Sequence, residues 1–394
     1  MRILHVTSFC VPGMGYEENY LPSAQAAAGN LVRVITSDRI PRILQNISRL
    51  SHQFPQGRIN QNRAKDGGVT TLRLPSIPEI YGQVVLVGLH RELSRFHPDV
   101  VHAHGAFAPP SIQCLMLKRK IGYKLFIDDH SNKSNFHVNT ASKEAYLKIV
   151  GEIYKRLGPS VTAFLPVVPD SAEILQNRLK IPARVILPVS LGADTEVFKS
   201  SPLLRAATRQ RLGIRAGQLL VISAGKLQPD KDIDVLIRAF SQLADKDSSL
   251  RLLLSGEGDQ AYEAYLKSLI GTHGPSGKVL LQGFVPHDDL PSYFNAADIG
   301  VWPGAPSIAV LEAVACGLPC VLPSDDSAYA ILRSHQACIT FARGDQRDLE
   351  RALSTLLHDE TARTTIRENA FRCADGVLSW AAVSEKILRI YVGE

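Results

Sequence analysis

Short apolar runs recur along the chain, and most of them stop at glycine, proline or a polar cluster. Residues 3–7, 31–36, 69–74, 100–103, 123–128 and 162–167 read as strands, and so do 219–225, 252–258, 279–285, 299–302, 320–322 and 338–341. Between them lie longer stretches with helical spacing, including 39–50, 171–179 and 378–391. The run 219–225 is apolar but for Ser223, as suits a strand covered on both faces of a parallel sheet. Strands and helices that alternate in this way predict an α/β fold of doubly wound, Rossmann-like sheets. A chain of 394 residues is long for one such domain and comfortable for two.

Residues 301–322 read in turn as strand, tight loop, helix, turn and strand. Pro303-Gly304-Ala305-Pro306 can neither extend a strand nor fill a helix. Ser307 is placed to cap the helix that follows, which Gly317 and Pro319 end. Such a helix directs unpaired N–H groups out of a loop of small residues, a ready site for an anion. Glu312 stands among apolar neighbours, where a carboxylate is either exposed or used. Earlier, Gly225 ends a strand, and Lys226 and Lys231 follow five residues apart. Two cations there can neutralise a diphosphate leaving group without a metal; ordinary exposed loop lysines are the alternative.

Three sites in the first half also carry chemistry. Residues 9–20, with Gly13 and Gly15, form the loop after the first strand, and Tyr16 and Glu17 lead into a helix. Loops at the carboxyl ends of strands line the ligand crevice of open α/β sheets, although a plain turn explains the glycines equally well. His102 and His104 alternate along one strand face. No third metal ligand is evident beside them, so they read as strand-end histidines with His104 at the crevice rim. Asp128-Asp129-His130-Ser131-Asn132 ends another strand in polar groups. Asp129 and His130 are the candidates for chemistry there, against a loop whose polar residues simply cap the next helix.

Composition narrows the class. The apolar fraction of 45% is ordinary for a globular protein. No apolar run reaches the roughly 18–20 residues that span a bilayer, and the N-terminus is too short and polar for a signal-peptide core. The six cysteines show no Cys-x-x-Cys spacing, so reduced core thiols and no structural metal are expected, in a cytoplasmic setting. The net charge of +6 is uneven: residues 1–200 carry +9 and the remainder −3. A basic first half suggests an anionic partner. Arg39, Arg42, Arg49, Arg58, Arg63 and Lys65 accompany an amphipathic stretch with Ile40, Ile43, Leu44, Ile47 and Leu50 at helical spacing. Such a segment can lie on an anionic membrane, or it is a surface helix packed on its own domain. No nucleic-acid-binding signature accompanies the charge, and no nucleic acid partner is expected.

The sequence Glu312-Ala-Val-Ala-Cys-Gly-Leu-Pro-Cys-Val321 resembles the donor-binding segment of GT-B retaining glycosyltransferases of family 4 (GT4). That family carries Glu-x7-Glu followed by Ala-x-Ala-x-Gly-x-Pro-Val; here Gly304 stands where its first glutamate is expected. Gly225-Lys-Leu-Gln-Pro-Asp-Lys-Asp232 resembles the family's Gly-Arg-Leu-x-Pro-x-Lys-Gly, with Lys226 for Arg and Asp232 for Gly. Residues 185–198 resemble the segment where the family's chain crosses to its second domain. Gly15-Tyr-Glu-Glu-Asn19 is similar to one bacterial polysaccharide-assembly branch.

The resemblance implies two Rossmann-like domains facing across a cleft, here 1–200 and 205–377 with a linker around 195–208, and a last helix, 378–394, returning to the first domain. It implies a retaining, metal-independent transfer from a nucleotide-sugar, UDP- or GDP-linked, to a glycan or lipid-linked acceptor, at the inner face of the cell membrane. Carried over residue by residue, the donor would meet Gly15, Lys226, Lys231, Phe284, Val285, Glu312 and the backbone N–H groups of Ser307, Ile308 and Ala309. His130 and Asp129, with Lys226 and Lys231, would serve the reacting centre. Tyr16, Glu17 and His104 would lie on the acceptor side. A non-catalytic nucleotide-sugar binder and a GT-B epimerase are the rival readings. A dehydrogenase is disfavoured, because no Gly-x-Gly-x-x-Gly follows the first strand.

Overall fold

The computed structural model describes all residues except 13–14, 46–52, 60–62, 67, 78–81, 134–135, 137 and 274–276. It divides into two compact units: Met1–Leu191 together with Trp380–Glu394, and Gly192–Ser379.

The first unit is built on seven strands: β1 (Arg2–Val6), β2 (Leu31–Ser37), β3 (Arg63–Asp66), β4 (Val69–Leu74), β5 (Val100–His104), β6 (Lys124–Asp129) and β7 (Ala163–Pro166). Their order across the sheet is β3-β4-β2-β1-β5-β6-β7. All pairs are parallel except β3 with β4, an antiparallel edge that the sequence reading did not place. β1 runs between β2 and β5, and Ile3, Leu4 and Val6 are fully buried, which is why this strand is so apolar. The helix Trp380–Val392 belongs to this unit: Trp380 stacks on Tyr20 at 5.8 Å, and Tyr391 packs on Phe126 at 4.7 Å.

The second unit has β8 (Leu219–Ala224), β9 (Leu250–Ser255), β10 (Val279–Gly283), β11 (Ile299–Val301), β12 (Cys320–Pro323) and β13 (Cys338–Phe341), all parallel, in the order β10-β9-β8-β11-β12-β13. Each sheet therefore has one point where the strand order reverses, between β1 and β5 and between β8 and β11. Loops leaving the carboxyl ends of those pairs are where an open α/β sheet takes its ligand.

Several expected elements shift. Residues 195–208 are not a free linker. Ser201 caps a helix, Pro202–Arg211, and Arg205 and Arg209 clamp Asp298 at 2.5 and 3.0 Å. The helix expected over 171–179 starts at Pro169, and the Ser171 hydroxyl donates to the Ser131 carbonyl. The amphipathic segment is helical over Arg42–Gln45, and its continuation with Arg49 lies outside the described residues. Ile40, just before it, is buried against Val11 and Ile59, while Arg58 pairs with Asp38. Among the described residues no helix is long and apolar enough to cross a membrane. All six cysteines are free.

Candidate functional site

In the second unit, the loops after β8 and β11 meet. Gly225, Lys226 and Lys231 line a pocket with Trp302, Gly304 and Ser307. Two contacts join the loops: Ala305 N–H donates to the Asp230 carbonyl at 2.8 Å, and the Trp302 indole donates to the Ala224 carbonyl at 2.7 Å. The Lys231 ammonium donates to the carbonyls of Ala305 and Pro306 at 3.0 and 2.8 Å. Burial lowers its pKa from the ordinary lysine value. Lys226 is exposed at the end of the strand.

Gly304 has no room for a side chain. A Cβ there would lie 2.4 Å from the Asp230 carbonyl oxygen and 2.6 Å from the Lys231 Cα. The absence of a glutamate at this position is therefore a packing requirement of this loop. At Asp232, where the related motif has glycine, φ is +52°, and Arg343 Nε donates to its carboxylate at 3.0 Å. Asp tolerates this left-handed conformation better than most residues, and the arginine holds it there.

The helix after β11 starts at Ala309 and runs to Ala315, so Ser307 does not cap it. The Ser307 N–H is also taken: it donates to the Tyr329 hydroxyl at 3.0 Å. Held this way, the Ser307 N–H is not free for the phosphate contact expected of it. Glu312 is buried, 3% exposed, and its Oε1 lies 2.6 Å from His287 Nε2. Its Oε2 is buried without a hydrogen-bond partner. Burial disfavours the charged form of His287, but the Glu312 carboxylate overcomes this and raises its pKa. His287 also packs on Phe198, with ring centroids 5.0 Å apart. Nothing in the sequence singled it out. Gly283 adopts φ +71°; after it, Phe284 is 43% exposed while Val285 is buried.

In the first unit, a cavity of about 360 Å³ opens at the β1/β5 ends, lined among others by Tyr16, His104, Asp129 and His130. Gly15 turns the chain with φ +72° into the helix Glu17–Ala27, while Gly13 lies outside the described residues. Asp129, taken from the sequence as a chemical group, holds the loops: its oxygens accept the Ala106 and Ser131 N–H groups at 3.1 and 2.9 Å. The centre of this site is Asp128, one residue earlier. Strand register sets His104 beside Asp128 and His5 beside His102. Asp128 Oδ2 lies 2.5 Å from His104 Nδ1, 3.2 Å from His102 Nε2 and 3.8 Å from His130 Nε2. Glu17 Oε2 is 3.0 Å from His130 Nε2.

Burial alone would suppress charge here. The carboxylate of Asp128 nonetheless raises the pKa of His104 to about 9, and Asp128 and Glu17 raise that of His130. The histidines in turn hold Asp128 well below the carboxylate range, while burial pushes Asp129 up. His5, buried beside His102 and His104, is held well below the usual histidine value.

Two doubly wound units, one with paired lysines and a buried glutamate at its switch point, define a GT-B architecture. Comparison with known proteins agrees. The family Glycosyltransferase Family 4 matches residues 21–197, and Glycosyl transferases group 1 matches residues 205–372. The chain belongs to these GT4 glycosyltransferases. It is 27% identical over 235 residues to D-inositol 3-phosphate glycosyltransferase of Thermobispora bispora, covering 57% of this chain and 54% of that protein. It is 23% identical over 345 residues to alpha-D-kanosaminyltransferase of Streptomyces kanamyceticus, covering 81% and 87%. The chain spans about half the length of most of the curated relatives it matches. The fold is shared with Anabaena HepE in complex with UDP, at TM-score 0.75 and 19% identity over the full length of both.

Proposed function

We propose that the chain moves a sugar from a nucleotide-sugar, UDP- or GDP-linked, to a glycan or lipid-linked acceptor in cell-surface polysaccharide assembly, with retention of configuration. The observation that carries this reading is Glu312: a buried carboxylate with one oxygen fixed by His287 and the other unpartnered. On this reading Oε2 accepts hydrogen bonds from the ribose hydroxyls. Lys226 and Lys231, lining one pocket, pair the diphosphate, and charge growing on the leaving phosphate oxygen is stabilised where it forms. The N–H groups of Ile308 and Ala309 add to this, and exposed Phe284 offers a face to the base. These groups supply the neutralising charge without a metal at the phosphates.

The cavity of the first unit, lined by Tyr16, Glu18, His104 and His130, takes the acceptor, with the buried Glu17 behind His130. Its hydroxyl attacks on the face the nucleotide leaves, so the anomeric configuration is kept. The basic character of the first half suits peripheral contact with an anionic membrane. The test is incubation with UDP- and GDP-sugars and a panel of glycan and lipid-linked acceptors, with the product anomer read by NMR. A product of unchanged configuration supports the proposal. Donor binding without turnover favours a non-catalytic relative, and an inverted product overturns the mechanism.

A further inference from the structure

The two histidines that line the cavity of the first unit already have counter-charges. His104 Nδ1 lies 2.5 Å from Asp128 Oδ2, and His130 Nε2 lies 3.0 Å from Glu17 Oε2. Two further carboxyl groups, Glu18 and Asp129, line the cavity itself. The oxygens of Asp129 accept the Ala106 and Ser131 N–H groups. Glu18 is held by no such contact. Apart from its own N–H, no described residue hydrogen-bonds to its carboxylate or lies within ion-pair distance of it. Residues 1–200 carry +9, yet among the described residues no lysine or arginine lines this cavity.

A donor with no partner lines the same cavity. The Ser8 hydroxyl donates to Gln83 Oε1 at 2.8 Å. The amide nitrogen of Gln83 is then a donor, and no described residue accepts from it. The lining therefore offers an unmatched acceptor at Glu18 and an unmatched donor at Gln83. A sugar hydroxyl both donates and accepts, so neighbouring hydroxyls on one ring can serve both. Phe9, Tyr16 and Phe107 add apolar surface, and Phe136 packs on Phe107 at 4.9 Å. Surface of that kind suits the C–H face of a pyranose. The volume of about 360 Å³ lies at the small end of the roughly 300–1,000 Å³ typical of ligand pockets, as suits a ring better than a long chain.

Resting on the transferase reading above, we propose that the acceptor presents a neutral sugar ring to this cavity, with no phosphate on that ring, and that Glu18 sets this preference. The Glu18 carboxylate accepts from the ring hydroxyls, and the Gln83 amide donates to them. A phosphate in the same place would stand beside Glu18 while the histidines of the lining are already paired. Like charges brought together away from bulk water are strongly disfavoured. Burial already pushes the Glu18 carboxyl above its ordinary range, against the pull of His104 and His130, so a second negative charge meets a group whose ionisation is already opposed. The anionic partner suggested by the basic first half belongs outside this cavity.

The test is saturation-transfer NMR on the full chain, with and without saturating nucleotide, against a panel of methyl hexopyranosides and their phosphate monoesters. Calorimetry with UDP and GDP reports separately on the donor site. At least one neutral glycoside should bind about tenfold or more tightly than its phosphate. Glu18→Gln, nearly unchanged in size, should narrow that ratio to about threefold or less, and Glu18→Lys should invert it. If Glu18→Lys does not fold, Glu18→Gln decides alone. A phosphate that binds as well as its neutral parent, or a ratio unchanged in Glu18→Gln, overturns the proposal. Nucleotide binding with no neutral glycoside bound also overturns it and leaves the transferase reading standing. The expected ratio with neither nucleotide bound supports the cavity assignment and counts against the transferase reading instead, and binding of neither class of ligand overturns both.

Discussion

Gly304 lies so close to Lys231 that a Cβ on residue 304 would come within 2.6 Å of the lysine Cα. Lys231 in turn holds the same loop through the carbonyls of Ala305 and Pro306. The two residues form one latch between the loops after β8 and β11. Adding a methyl group must push these backbones apart, and overpacking of this kind costs about 1–3 kcal/mol or more. Gly304→Ala should therefore lower stability by that amount, and Gly304→Glu, which restores the family's usual residue, should be worse. Denaturant unfolding of both variants checks this; a neutral or stabilised Gly304→Glu would contradict it.

Asp232 occupies a left-handed conformation at φ +52° and accepts from Arg343. Asp232→Ala keeps the strained backbone and loses the arginine contact, whereas Asp232→Gly relieves the strain. Glycine should be the more stable of the two by about 0.4–1 kcal/mol or somewhat more. Equal stabilities in chemical unfolding would show that the backbone is not strained there.

Asp298 gathers two guanidinium groups and the Leu220 N–H within 3.0 Å. Asp298→Ala leaves Arg205 and Arg209 without their counter-charge against carbonyl-rich backbone. The loss should be about 3 kcal/mol, typical of removing one partner from a buried ionic network. A change within the range of ordinary surface substitutions, about 0.5 kcal/mol, would show that these arginines anchor elsewhere.

The His287–Glu312 pair makes a pH-dependent contribution of definite sign. The folded pKa of His287 is raised above its unfolded value of about 6.5. Its stabilisation is therefore fully present below about pH 6.5 and is lost as pH rises through the raised folded value. The stability gap between the parent and His287→Gln should narrow with rising pH across that window. Urea unfolding of both proteins at a series of pH values checks it, and a gap that widens with pH would reverse the assignment.

What the sequence revealed was local, and what it concealed depended on register. The bounds of β4 and β13 match the expected runs 69–74 and 338–341, because Gly68 and Pro75 bracket the first and Arg343-Gly344 closely follow the second. The lysines of the β8 loop and Glu312 were legible because glycine, proline and charge punctuate a short stretch. Ser307 misled because its residue type suits a cap, while a hydroxyl from Tyr329, 22 positions on, takes its N–H. The sequence points to Asp129 and not to Asp128, because neighbouring carboxylates on a strand differ only in the face they point to, which pattern alone does not fix. The hydrogen bond from the Gln25 amide to the Tyr391 hydroxyl joins residues 366 positions apart, and no local signal announces it. His287 lies in the turn after β10 and is identified only by its contact with Glu312.

The measurement that bears most directly on the proposed function is donor binding by calorimetry, with UDP-, GDP- and ADP-sugars tested on the full chain, Glu312→Gln and Lys226→Ala. The account predicts saturable binding of one donor class. Each variant should weaken it by roughly 10- to 100-fold, the worth of a hydrogen bond to a charged group at about 1.5–3 kcal/mol. Absence of binding for every donor, or affinity unchanged in both variants, would contradict a nucleotide-sugar site at the β8/β11 switch point.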